Sequence, residues 1–121
     1  MTLASLVIGV RASLRESAIA SRLSSDQSTA VILEGLPDGN SALDASQTHS
    51  DLNIARIAPG CMHCIGNLVM RVTLNRMLRE KPERLFISVA NTEHLQQLRE
   101  FLSNAPYDAL LQLTPDIATH D

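Results

Sequence analysis

Apolar and polar positions along this chain follow two periods that take turns. Residues 2–10 are a nearly unbroken apolar run with Leu3, Leu6, Val7, Ile8 and Val10. The run is too continuous for a half-exposed strand, so it predicts a strand buried on both faces, as in a parallel sheet. A turn over residues 9–13 follows. Leu14, Ala18, Ile19 and Leu23 then recur at helical spacing behind Ser13-Leu14-Arg15-Glu16, which has the form of a capping box. Ser24-Ser25-Asp26 ends that helix. Residues 29–33 are β-branched and apolar and predict a second strand. Residues 35–50 gather Gly, Pro, Asn, Ser and Asp without periodicity and predict a long surface loop. Residues 52–58 alternate around Leu52, Ile54 and Ile57, as a strand at a sheet edge would.

The second half repeats the scheme. From residue 65 or 67 to 80 the spacing is helical, with two apolar faces. Ile65, Leu68, Val69 and Val72 make one, and Met70, Leu74, Met77 and Leu78 the other. One face is expected on the sheet and the other against a neighbouring helix, with a second subunit as the alternative. Arg71, Arg76 and Arg79 read as a solvated side, and Lys81-Pro82 stops the helix. Residues 85–90 predict a fourth strand. Asn91 or Thr92 caps a further helix, with Glu93 in its first turn and an apolar stripe of Leu95, Leu98, Phe101 and Leu102. Pro106 breaks it. Residues 107–113 predict a fifth strand ended by Thr114-Pro115-Asp116, and the remaining tail reads as polar and frayed. Strands alternating with helices predict a three-layer α/β domain, with a mostly parallel sheet of about five strands flanked by helices. Ligands in such folds bind at the carboxyl ends of the strands. Residues 9–13, 59–64 and 90–94 are expected there.

Length and composition narrow the possibilities. The chain has 121 residues, enough for one domain with one core. Apolar residues make up 45% and aromatics 2%, so that core is aliphatic. A net charge of -3, no basic tract and few aromatics argue against a nucleic-acid binder. No apolar run is long enough for a membrane span, and no basic residue precedes Arg11 as a signal peptide would require. A cytoplasmic location is expected.

The densest chemistry lies in Pro59-Gly60-Cys61-Met62-His63-Cys64, which holds both cysteines and one of the four histidines. Thiolates and neutral imidazole are good ligands for zinc and softer metals, so Cys61, His63 and Cys64 are the candidate metal site. A further ligand could come from His94, His49 or a second copy of the chain, although each histidine alone reads as solvated, as does His120. The competing reading is thiol redox chemistry. Cys61-x-x-Cys64 opens a helix, whose dipole favours a thiolate. Against it, the motif sits mid-chain with no Trp before Cys61. A third reading is a turn with two incidental cysteines. The partners expected are a metal ion and either a protein or a second copy.

Three segments, in order, resemble a known family. Residues 9–17, Gly-Val-Arg-Ala-Ser-Leu-Arg-Glu-Ser, follow the first strand and lead into Ala18-Ile19-Ala20-Ser21-Arg22-Leu23. Gly60-Cys61-Met62-His63-Cys64 precedes a helix, and Lys81-Pro82-Glu83-Arg84-Leu85-Phe86-Ile87-Ser88 enters a strand. Together they resemble the N-terminal half of a CobW-like GTPase, the metallochaperone relatives of the urease and hydrogenase maturation GTPases. That family has a phosphate loop G-x-x-G-x-G-K-[ST]-[ST], a G-C-x-C-C motif and an R-P-[DE] strand entry ending in an acid. The resemblance covers most of residues 1–121 as one domain, the cysteine motif being its specific part, and implies transient metal transfer. The departures are as informative. His63 stands for the middle cysteine and Ser88 for the acid. Only Gly9 of the loop glycines is kept, with Ala12 and Leu14 at the other two. Arg15 replaces the phosphate-binding Lys, and Glu16 the Mg-binding hydroxyl. A helix N-terminus attracts anions, but the Ser13–Glu16 box would fill this one with a carboxylate. The chain also ends where the family's G domain is half complete, without the guanine-reading segment. The expectation is a vestigial phosphate loop, with no GTP hydrolysis and no tight nucleotide binding.

Overall fold

A computed structural model describes residues 1–23, 26–35, 52–57, 68–90 and 95–119, the side chains of Leu68 and Val69 excepted. Its strands are β1 (Thr2–Ile8), β2 (Thr29–Glu34), β3 (Leu52–Ile57), β4 (Arg84–Val89), β5 (Leu111–Leu113) and β6 (Ile117–Ala118). Its helices are α1 (Ala12–Ala20), α2 (Leu68–Arg79) and α3 (Leu95–Ser103), with a 3-10 turn at Tyr107–Ala109. The sheet runs β3-β2-β4-β1-β5 and every pairing is parallel. Among the described residues β3 lies at an edge of the sheet, as its alternation predicts.

Strand side chains alternate between two cores. On one face Ala4, Leu6, Ala30, Ile32, Leu85 and Ile87 meet Met70, Leu74, Met77 and Leu78 of α2 and Leu98 and Leu102 of α3. On the other, Val7, Val31, Leu33 and Phe86 pack on Ile19 of α1. The three-layer α/β arrangement expected from the periodicity is therefore present. Ile87 lies in the middle of β4 and is fully buried. Ile87→Val removes one methylene there and should lower stability by about 1 kcal/mol, read as a lower urea midpoint at unchanged slope.

Several local expectations are corrected. β1 stops at Ile8, and Val10 is 82% exposed. Tyr107–Ala109 is helical rather than extended because its backbone groups bond locally. The Tyr107 N–H goes to Asn104 O and the Leu110 N–H to Tyr107 O, both at 2.9 Å. The Tyr107 hydroxyl also donates to Asn75 Oδ1 of α2 at 2.9 Å, which holds the turn down. Only Leu111–Leu113 is left to pair, and it covers just the first half of β1. The tail expected to fray supplies the remainder: Ile117 and Ala118 pair with Val7 and Ile8. On α2, Val72 is 55% exposed, so the second apolar face is not covered there by another helix of the described residues. The loop at 36–50 and the cap at 91–93 lie outside those residues. Among them no helix is long and apolar enough to cross a membrane.

Candidate functional site

All strands run the same way, so the sheet has one carboxyl edge. Along it lie the ends of β3 (Arg56, Ile57), β2 (Glu34, Gly35), β4 (Ser88, Ala90) and β1 (Ile8, Gly9, Val10). β1 is followed by α1 on one face, and β4 by α3 on the other. Neighbouring strands whose connections leave to opposite faces open a crevice between their carboxyl ends, where α/β folds bind ligands.

In this chain that crevice holds a guanidinium. Arg15 is 2% exposed. Its Nε donates to Ser88 Oγ at 2.7 Å, and its Nη1 donates to the carbonyl oxygens of Gly9 (2.6 Å) and Val10 (3.2 Å). The loop after β1 thus turns two carbonyls toward a cation, where a phosphate cradle would need N–H groups facing an anion. Gly9, at φ 153, provides the backbone freedom for that turn.

The capping box is not formed. α1 begins at Ala12 with Arg11 as its N-cap, and no side chain makes a capping hydrogen bond. Glu16 is therefore two positions beyond the third helical residue, where a capping carboxylate must sit. It is buried, and it accepts a fork from Arg56 of β3, Nη2 to Oε1 at 2.9 Å and Nη1 to Oε2 at 3.3 Å. Two further bonds tie the strand ends together. The Ala90 N–H donates to Glu34 Oε1 at 2.8 Å, and the Gly35 N–H donates to Ile57 O at 2.9 Å.

The sequence reading put Leu14 on the inner side of α1, but the fully buried positions are Arg15, Glu16 and Ile19. Hydropathy cannot reveal a buried charge whose partners come from distant strands. A signal did exist. Ser88 and Glu34 sit inside or at the end of runs buried on both faces, and polar groups there need partners.

Cys61, His63 and Cys64 lie outside the described residues, as do His49, His94 and His120. The described chain brackets residues 58–67 between Ile57, the last residue of β3, and Leu68, the first of α2. Among the described residues no group of three or more His, Cys, Asp or Glu side chains could hold a metal ion.

Over 69 residues the chain is 33% identical to the zinc chaperone YeiR of Escherichia coli (strain K12). The match takes in 56% of this chain and 21% of that protein, so the chain spans about a fifth of the length of the curated relative it matches. No protein-family model and no solved structure matches the chain.

Proposed function

We propose that the chain is a non-catalytic, CobW-like domain that carries zinc on the turn after β3, through Cys61, Cys64 and His63. It would work as a metal carrier or as an accessory subunit. The observation that carries this reading is the similarity to a zinc chaperone in a chain whose two cysteines and one histidine fall within four residues. Two thiolates and an imidazole suit zinc in charge and softness. Binding deprotonates both thiols, so affinity falls as pH falls. Three protein ligands leave a fourth position for water, for a histidine such as His94, or for a donor on the protein that takes the metal. An incomplete shell favours exchange over permanent storage.

The loop after β1 supports the non-catalytic part of the reading. Arg15 fills the crevice where nucleotide phosphates would lie, bonded to Ser88 and to the loop's own carbonyls. Phosphate binding would require that guanidinium to leave a buried site and the loop to turn over.

The test is metal content and thiol titration on one freshly purified, reduced sample. About one zinc per chain is expected, released when Cys61 and Cys64 are alkylated. Absence of zinc with ready formation of a Cys61–Cys64 disulfide would replace this reading with redox chemistry. Absence of zinc with inert thiols would leave neither.

A further inference from the structure

The outer side of α2 carries positive charge that no carboxylate of the described residues answers. The helix contains Arg71, Arg76 and Arg79 and no acid. All three arginines are exposed, and none forms an ion pair among the described residues. Arg71, Asn75 and Arg79 follow one another at i, i+4 and i+8, so they form one ridge about 12 Å long. Beside that ridge, between α2, α3 and the 3-10 turn, is an open cleft of about 410 Å³ whose lining includes Arg71, Asn75, Phe101, Asn104 and Tyr107. Its floor is aromatic, with the Phe101 and Tyr107 ring centroids 4.9 Å apart. The Arg71 guanidinium lies over the Phe101 ring, 5.6 Å from its centroid. The Tyr107 hydroxyl occupies Oδ1 of Asn75, so Asn75 offers a ligand its N–H groups. Val72, on the other flank of the ridge, is exposed.

We propose that the α2–α3 cleft and the ridge beside it dock an acidic, extended segment of a partner protein, with one carboxylate on Arg71, a second on Arg79 and an apolar side chain against Val72. The surface stands on residues separate from the zinc reading and does not depend on it. Stacking on Phe101 takes one face of the Arg71 guanidinium and leaves its edge N–H groups for a ligand. A guanidinium held in that way presents the planar fork that a carboxylate accepts. The neighbouring Asn75 amide adds donors and no competing acceptor. The spread of charge favours a chain over a small anion. One carboxylate cannot meet both ends of a ridge about 12 Å long, whereas acids at alternate positions of an extended segment recur about every 7 Å. Three cations on a protein of net charge -3 are too few for a nucleic-acid backbone and enough for two or three carboxylates.

The experiment measures binding of the full chain to a fluorescein-labelled peptide of alternating Asp and Leu, by anisotropy at low and at physiological salt. The same peptide with Asn for Asp, and an oligothymidylate of matching length, are the comparison probes. The acidic peptide is expected to bind, more weakly as salt rises, and the Asn peptide and the oligothymidylate are expected to bind at least tenfold more weakly. Arg71→Ala should weaken peptide binding about tenfold. Arg71→Lys keeps the charge without the stacked fork and should recover part of that loss. Arg79→Ala and Val72→Ala should each cost about threefold. Urea midpoints of these variants should stay near wild type, because the substituted side chains are exposed. Arg22→Ala is the control. It removes an exposed arginine from the end of α1, on the other face of the sheet, and should leave peptide affinity unchanged. A wild-type chain that does not bind the acidic peptide overturns the proposal, as does Arg71→Ala binding it as well as wild type. An equal loss in Arg22→Ala also overturns it, because the effect would then follow net charge alone. Tighter binding of the oligothymidylate than of the peptide would assign the ridge to nucleic acid instead. None of these outcomes bears on zinc content, so the zinc reading is judged separately.

Discussion

Replacing Cys61 and Cys64 together by Ser is expected to abolish zinc binding, weakening it on the order of 100-fold or more. Ser keeps nearly the size of Cys, but its hydroxyl does not ionise near neutral pH and is a poor ligand for a borderline metal. Groups that only orient a ligand already account for 10- to 100-fold effects, roughly, so loss of the two anionic ligands sets a floor at the upper end of that range. His63→Ala removes a neutral ligand and should cost less, about tenfold. The urea midpoint of the metal-free double variant should stay near that of wild type, because Cys→Ser nearly conserves volume. With saturating zinc the wild type should gain stability, and the double variant should not. Equilibrium competition against a chelator, with unfolding curves at two zinc concentrations, checks both halves. Zinc held with unchanged affinity after both cysteines are gone would mean that the ligands lie elsewhere in the chain.

The parts of the structure legible in the sequence are those governed by burial of apolar side chains. The runs at 2–10, 29–33 and 85–90 are continuous because β1, β2 and β4 are the inner strands, covered by helices on both faces. The alternation at 52–58 reports an edge strand for the same reason. Met70, Leu74, Met77 and Leu78 share a stripe because one side of α2 rests on the sheet. Elements governed by polar pairing are harder to read. Ser13 and Glu16 have the spacing of a capping box, yet the helix starts two residues early and Glu16 finds a cation 40 positions away. A local rule competes there with a long-range ion pair, and the ion pair prevails because it satisfies both oxygens of a buried carboxylate. The tail is misread because β6 exists only to cover what a short β5 leaves open on β1, a need visible only once the sheet is assembled. Cys61, His63 and Cys64 offer ligand chemistry by residue type and spacing, and they lie outside the described residues. The pairings at the carboxyl edge, Arg56 with Glu16 and Gly35 with Ile57, join separate segments that no local pattern connects.

Arg15→Ala is expected to destabilise the fold by about 3 kcal/mol, a large share of the roughly 5–15 kcal/mol that holds a domain of this size. The guanidinium is among the largest fully buried side chains in the protein. Truncation leaves Ser88 Oγ and the Gly9 carbonyl without their charged donor, and each orphaned buried acceptor costs on the order of 1–3 kcal/mol. A void at the β1–β4 crevice adds to that. Relief of the desolvated charge itself works in the opposite direction, which is why the expected loss stays below the sum of the parts. Arg15→Met separates the contributions. It refills most of the volume but donates no hydrogen bond, so it should recover the void and leave the acceptors unpaired. Arg15→Lys retains a cation but has no planar fork to span Ser88 and the loop carbonyls together, and should be intermediate. Urea unfolding of the three variants, followed by circular dichroism, ranks them as Lys, Met, Ala in falling stability. An Ala variant as stable as wild type would show that the guanidinium adds nothing to the fold. The same proteins test the loop. Emptying the crevice is not expected to create nucleotide affinity, because the glycines that allow close backbone approach are replaced by Ala12 and Leu14. Tight GTP binding by Arg15→Ala would instead identify Arg15 as a plug in a loop that is otherwise competent, and the phosphate site as occluded rather than lost.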